Sequence, residues 1–181
     1  MLRPHVLRIY RRINDETKIE RIDMVMEHWV FRARVIDRAG ALTSIASAFS
    51  NEGISIDTVV GHGHEEQAGV DGSVVLTFSC TEEMKDIMVR KVKRLSKVKE
   101  LEEKPYDSNR LRKSAIVLTT RSLAPSDVAG EKCFLTCELV NTDTPGCTYF
   151  LAGSPSELDP VLARLEREKV IRDIVYSIVG L

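Results

Sequence analysis

The apolar positions of this chain change period several times, and each change marks an element. Residues 30–36 alternate apolar and polar, the pattern of a half-buried strand. Leu42, Ile45, Ala46 and Phe49 then recur at i, i+3, i+4 and i+7, the stripe of an amphipathic helix, and Gly53 stands where a left-handed C-cap favours glycine. Ile54, Ile56, Thr58 and Val60 restore period two, and Val74, Leu76, Phe78 and Cys80 share one face of a further strand over residues 73–80. Thr81 is placed to N-cap a second helix, with Glu82 and Glu83 in its first turn and Met84, Ile87, Met88, Val92 and Leu95 along its apolar face. Residues 98–103 close as an edge strand blunted by charge. Strand, helix, strand, strand, helix, strand is the order of an α+β, ferredoxin-like βαββαβ unit, an antiparallel sheet with both helices on one face.

The second half repeats much of that order. Residues 114–121, 132–140 and 147–152 read as strands, the last two joined by the turn formers of residues 141–146. A helix follows, with Ser154 as N-cap, Pro155 at the first position, Glu157 completing a capping box, and Leu158, Val161, Leu162 and Leu165 as its stripe. Residues 170–179 finish as a strand. Residues 122–130 are too short and too proline-broken for a full first helix, so this half is predicted to be a degenerate copy. Residues 1–27 read as two strands about a polar turn, although Ile19, Ile22 and Met26 also fit a helix beginning at Asp15. The organisation expected is a hairpin extension over 1–27, a first unit over 28–104, a polar linker over 105–113 and a second unit over 114–181.

Composition narrows the function. The chain has 181 residues, 43% hydrophobic and 29% charged, with 26 basic against 27 acidic residues and a formal net charge of -1. Such a balance provides no field to draw in nucleic acid or an anionic membrane, and no apolar run reaches the ~20 residues that span a bilayer. The expectation is a cytoplasmic protein. The four cysteines, Cys80, Cys133, Cys137 and Cys147, form no C-x-x-C pair and read as reduced, buried thiols.

The run Asp37-Arg38-Ala39-Gly40-Ala41-Leu42, followed by Gly53-Ile54-Ser55-Ile56, resembles the Asp-Arg-x-Gly-x-Leu and Gly-Ile-x-Ile opening of an ACT domain. ACT domains are small regulatory modules that bind amino acids beside many biosynthetic enzymes. The resemblance covers roughly residues 29–104, and the second half, which lacks the motif, would be an ACT-like module that has lost it. The tandem layout resembles the glycine cleavage repressor class, and the single strong motif the small regulatory subunits of acetolactate synthase. Members of the family usually bind an amino acid near this turn and the start of the next strand. The resemblance therefore implies a ligand site at Asp37, Arg38, Ala39, Gly40, Ala41, Leu42, Ile54 and Ile56. Physical chemistry agrees with the place: a helix start leaves unpaired N–H groups and partial positive charge, and Gly40 lets a carboxylate approach the backbone. Ala39 departs from the family, which commonly has proline there, and leaves the turn less rigid.

Other chemistry is thinner. His62 and His64, with Glu65 and Glu66, invite a metal reading, yet histidines in a surface loop explain them as well and no further ligand lies near in sequence. No phosphate loop, dinucleotide fingerprint or nucleophile elbow is present, and Cys147 is a nucleophile candidate only in isolation. Arg8, Arg11, Arg12, Arg32 and Arg34 read as solvated strand faces. The function expected is that of a non-catalytic regulatory protein without metal or cofactor. It would bind a small amino acid or related carboxylate and transmit occupancy to a partner enzyme or regulator, as a homodimer. The alternative is a ligand-free ACT-like dimerisation module; a third class, a metal or thiol enzyme, would need bound metal or an alkylation-sensitive activity.

Overall fold

The computed structural model describes residues 5–12, 19–36, 40–62, 71–129, 135–143 and 146–180. The chain divides into two units, Met1–Pro105 and Tyr106–Leu181.

In the first unit the elements are β1 (His5–Arg12), β2 (Ile19–Ile36), α1 (Ala41–Asn51), β3 (Ile56–His62), β4 (Asp71–Cys80), α2 (Glu82–Lys93) and β5 (Val98–Pro105). β4 and β5 flank β2 and β3 lies outside β4, so the sheet runs β3-β4-β2-β5 with every neighbouring pair antiparallel. The alternation seen in the sequence becomes its inner face: Phe31, Ala33, Val74, Leu76 and Phe78 are buried with Ile45 and Phe49 of α1 and Met88 and Val92 of α2. Phe31, Phe49 and Phe78 meet edge to face, with centroids 4.7 to 6.1 Å apart. Thr81 caps α2 as expected, its hydroxyl accepting from Met84 N at 3.3 Å.

The N-terminal stretch is strand, not helix, since Ile19, Ile22 and Met26 all lie in β2. β2 is 18 residues long and changes partners without a break: Ile19 to Met26 pair with β1, then Glu27 meets Cys80 and Trp29 meets Pro105. The expected hairpin extension and the first strand of the unit thus share one backbone. The four glycines between residues 61 and 72 suggest one long loop, yet Gly61 and His62 end β3 while Asp71 and Gly72 begin β4. Residues 63–70, with His64, Glu65 and Glu66, lie outside the described residues.

The second unit contains β6 (Leu111–Thr119), α3 (Pro125–Val128), β7 (Thr136–Asp143), β8 (Gly146–Gly153), α4 (Pro155–Arg167) and β9 (Ile171–Gly180). Its order, β7-β8-β6-β9, is that of the first sheet strand for strand. β6 begins at Leu111, three residues before the Ser114 expected, because Leu111 and Lys113 continue inward the alternation of Ala115, Val117 and Thr119. Its core joins Ala115, Val117, Tyr149 and Leu151 to Leu158 and Leu162 of α4.

In place of a first helix this unit has four residues of α3, none of them buried. Side-chain bonds hold that stretch instead. Leu123 N donates to the Tyr149 hydroxyl at 3.0 Å, and Asp127 accepts from Ala124 N at 2.8 Å and from Arg121 at 2.5 Å. The Arg121 guanidinium, helped by the Ala124 amide, brings the Asp127 carboxyl down to about 2. The capping box expected on α4 is not formed: the Ser154 hydroxyl donates to the Glu157 carboxylate at 2.6 Å rather than accepting from its backbone. The backbone carbonyl of Ser154 accepts from Leu158 N at 2.9 Å in the ordinary helical way.

Candidate functional site

Gly40 stands immediately before α1 in the left-handed region, at φ 85°, a conformation glycine adopts without a Cβ penalty. Its carbonyl accepts both the backbone N–H of Ser44 at 3.0 Å and the Ser44 hydroxyl at 2.8 Å, which fixes the first turn. Lys97 arrives from the turn between α2 and β5. Its Nζ lies 2.8 Å from the point a Cβ on Gly40 would occupy. Its carbonyl accepts from Ile36 N at 2.9 Å, tying the end of β2 to the same turn.

Beside this corner a groove of about 560 Å³ runs along α1, lined by Gly40, Thr43, Ser44, Ser47, Ala48, Asn51, Leu95 and Lys97. Among the described residues the lining combines three hydroxyls, one carboxamide and one ammonium with two apolar side chains and contains no carboxylate. It suits a small ligand that presents an anionic group to Lys97 and hydrogen-bonding groups to α1.

Of the described residues among those singled out in the sequence, Gly40 alone lines the groove. Ala41 is buried in the core, and Leu42 is 46% exposed on α1. Ile54 and Ile56 are half-buried and pack against the core cluster, while the apolar part of the groove comes from Ala48 and Leu95. Asp37, Arg38 and Ala39 lie outside the described residues. Sequence reasoning did not select Thr43, Ser47, Asn51 or Lys97. Gly40, Ser44, Ser47 and Asn51 do recur at i, i+4, i+7 and i+11 opposite the apolar stripe, a small polar face that periodicity alone could have exposed.

Elsewhere, Cys80 and Cys147 are buried and Cys137 is exposed, all three as free thiols, and Cys133 lies outside the described residues. Burial pushes the Cys80 thiol up to about 11 despite nearby Lys85, so it stays protonated at neutral pH. Arg32 and Arg34 extend from the solvated side of β2 toward Glu102 and Glu100, at 4.0 and 3.3 Å. Among the described residues no group of three or more His, Cys, Asp or Glu is placed to hold a metal ion, and no helix is long and apolar enough to cross a membrane.

No protein-family model matches the chain, and no curated protein matches it. Solved structures do. The small subunit of acetolactate synthase from Thermotoga maritima superposes with a TM-score of 0.62 at 14% identity, over 85% of this chain and 96% of that one. The ligand-free regulatory subunit of aspartate kinase from Thermus thermophilus gives 0.44 at 13% identity, over 80% of this chain and 95% of that one. At such identities the likeness is one of fold. The chain is a tandem of ferredoxin-like units with the ACT-like fold, complete in its first unit and lacking a full first helix in its second.

Proposed function

We propose that this chain is a non-catalytic regulatory protein. Its first unit binds a small amino acid or related carboxylate at the start of α1, and it acts as a homodimer on a partner enzyme or regulator. The observation that carries this reading is the corner at Gly40, where a left-handed glycine, the N–H groups of a helix start and the Lys97 ammonium meet at the mouth of a hydroxyl-lined groove. A carboxylate placed there is attracted by both the helix dipole and the ammonium. Asp37, Arg38 and Ala39 precede it directly in sequence, and an aspartate is the natural acceptor for a ligand's ammonium. The solved small subunit of acetolactate synthase, with its similar fold and comparable length, is a precedent for such a chain serving a separate enzyme.

Calorimetric titration of the full chain with each of the twenty amino acids tests this reading, repeated with Gly40→Val and Lys97→Met. One amino acid or a small related set should bind the parent. Gly40→Val, which adds strain at positive φ and fills the approach to the helix start, should weaken that binding by about 1–3 kcal/mol. Lys97→Met should weaken it by about 1.5–3 kcal/mol, the range for a lost charge-assisted bond. If no amino acid binds the parent, or if Gly40→Val binds as tightly, the ligand-free dimerisation module takes its place.

A further inference from the structure

Sheet edges bear unpaired N–H and C=O groups, and proteins that stay monomeric protect them with charge, bulges or covering segments. Among the described residues, the edge strands other than β9 are each charged, bulged or short. β1 carries Arg8, Arg11 and Arg12. β7 is broken by a bulge between Leu139 and Asn141, and β3, whose bulge lies at its start between Ile56 and Thr58, has only five residues beyond it. β5 has Lys99, Glu100, Glu102, Glu103 and Lys104 within its eight residues, and a register shift as well.

β9 is different. Its two charges, Arg172 and Asp173, stand together at its start, and its single register shift falls there too, between the pairs Thr119–Ile171 and Leu118–Asp173. From that point residues 173–180 run in unbroken register with β6, and residues 174–180 carry no charge. β6 is the only strand paired with β9 among the described residues, and β9 ends the sheet. Val175 is 68% exposed, and its cross-strand neighbour Ile116 is 45% exposed on the same face.

We propose that β9 is the seam through which two copies of this chain join, strand to antiparallel strand about a two-fold axis. The occupant is a second copy because the strand is complementary to itself. Pairing centred near Tyr176 sets uncharged residues opposite uncharged residues, with each copy's Val175 across from the other's Ser177, and leaves Arg172 and Asp173 at the two ends. The same operation on β5, centred on Leu101, would set Glu100 against Glu102 and be repelled. Pairing of β9 with its own copy about a two-fold axis consumes that edge in both copies, so the contact is isologous and closes at a dimer. The inference rests on the homodimer of the proposed function and is independent of its ligand.

Sedimentation of the full chain, of Val175→Lys and of Leu139→Lys tests it, with far-ultraviolet circular dichroism to show that each variant is folded. The parent should be a dimer at low micromolar concentration. Val175→Lys, at an exposed position where a charge is harmless to the monomer but faces the two-fold, should raise the dimer dissociation constant about 100-fold. Leu139→Lys, exposed on the opposite edge of the same sheet, should leave it unchanged. A parent that is monomeric at tens of micromolar overturns both this seam and the homodimer. A dimer that survives Val175→Lys, or is broken by Leu139→Lys, overturns the seam and leaves the homodimer standing. Amide exchange is a check without substitution: alternate N–H groups of residues 174–178 should gain protection with concentration, and constant protection overturns the seam.

Discussion

The two units share a strand order and a second helix and differ in the first. α1 has 11 residues and buries Ala41, Ile45 and Phe49, whereas α3 has four and buries none. In the second unit Leu123, Val128 and Leu135 close that side of the core as half-buried side chains, with the chain pinned through Tyr149 and Asp127. The ferredoxin-like sheet can therefore be held by its second helix and a clasp of hydrogen bonds. The helix that one unit lacks is the one that carries the candidate groove in the other. A second contrast lies near the start of each second helix. In the first unit Lys85 comes from α2 and sits over the Trp29 ring of β2, 4.8 Å from its centroid. In the second Lys113 comes from β6, sits 4.0 Å over Tyr176 of β9, and pairs with Asp159 of α4 at 2.6 Å. A cation on an aromatic face occurs in both units, but the first strand of the sheet core supplies the ring in one, through β2, and the charge in the other, through β6.

The largest effect should come from the first helices. Phe49→Ala removes a ring packed on two others and should cost the first unit about 3–5 kcal/mol, whereas Val128→Ala on α3 should cost the second unit about 1 kcal/mol. Denaturant unfolding followed by Trp29, the chain's single tryptophan, reads the first unit. Far-ultraviolet circular dichroism reads both. Equal losses would show that α3 covers its core as α1 does.

The lysine sites should differ next. Asp159→Ala strands the buried Lys113 ammonium and should cost about 3 kcal/mol, near the lower end for breaking a buried pair. Asp86→Ala removes a half-exposed partner of Lys85 and leaves Glu103 at 3.8 Å, so less than about 1 kcal/mol is expected. Thermal unfolding of both variants measures the gap, and Lys113→Met in the Asp159→Ala background should restore most of the loss.

The smallest effect is an acid one, confined to the second unit. Asp127 titrates at about 2 in the folded chain and at 3.8 ordinarily, so its contribution is present above about pH 4 and lost as pH falls through about 2. Arg121, its partner, is half exposed, and screening should hold that contribution below about 1 kcal/mol. Asp127→Asn should flatten the stability of the second unit over that window. An unchanged acid limb would mean that the clasp around α3 is not what titrates.

Most of the fold was legible because burial and period coincide. The stripes Leu158, Val161, Leu162 and Leu165, the cap at Thr81 and the alternation of β4 all use residues whose solvation preference is unambiguous. Misreadings fell where polar residues are buried or backbone geometry decides. Lys113 hid the first residues of β6, since a lysine in an inward position reads as the end of a strand. The polar pair Glu27 and His28 similarly disguised the continuity of β2. Gly40 was found through its motif and through the needs of a helix start. The rest of the groove consists of serine, threonine, asparagine and lysine on an exposed helix face, residue types so common there that only the fold, which brings Lys97 back against Gly40, sets them apart.

The continuity of β2 also has a mechanical meaning. At ~3.3 Å per residue its 18 residues make a rod of roughly 60 Å, stiffened along its length first by β1 and then by β4 and β5. The last residue of that rod, Ile36, holds the carbonyl of Lys97 at the mouth of the groove. The β1–β2 ribbon is thus a handle: a tug or twist applied there reaches Ile36 along a single covalent backbone and Lys97 through one backbone hydrogen bond.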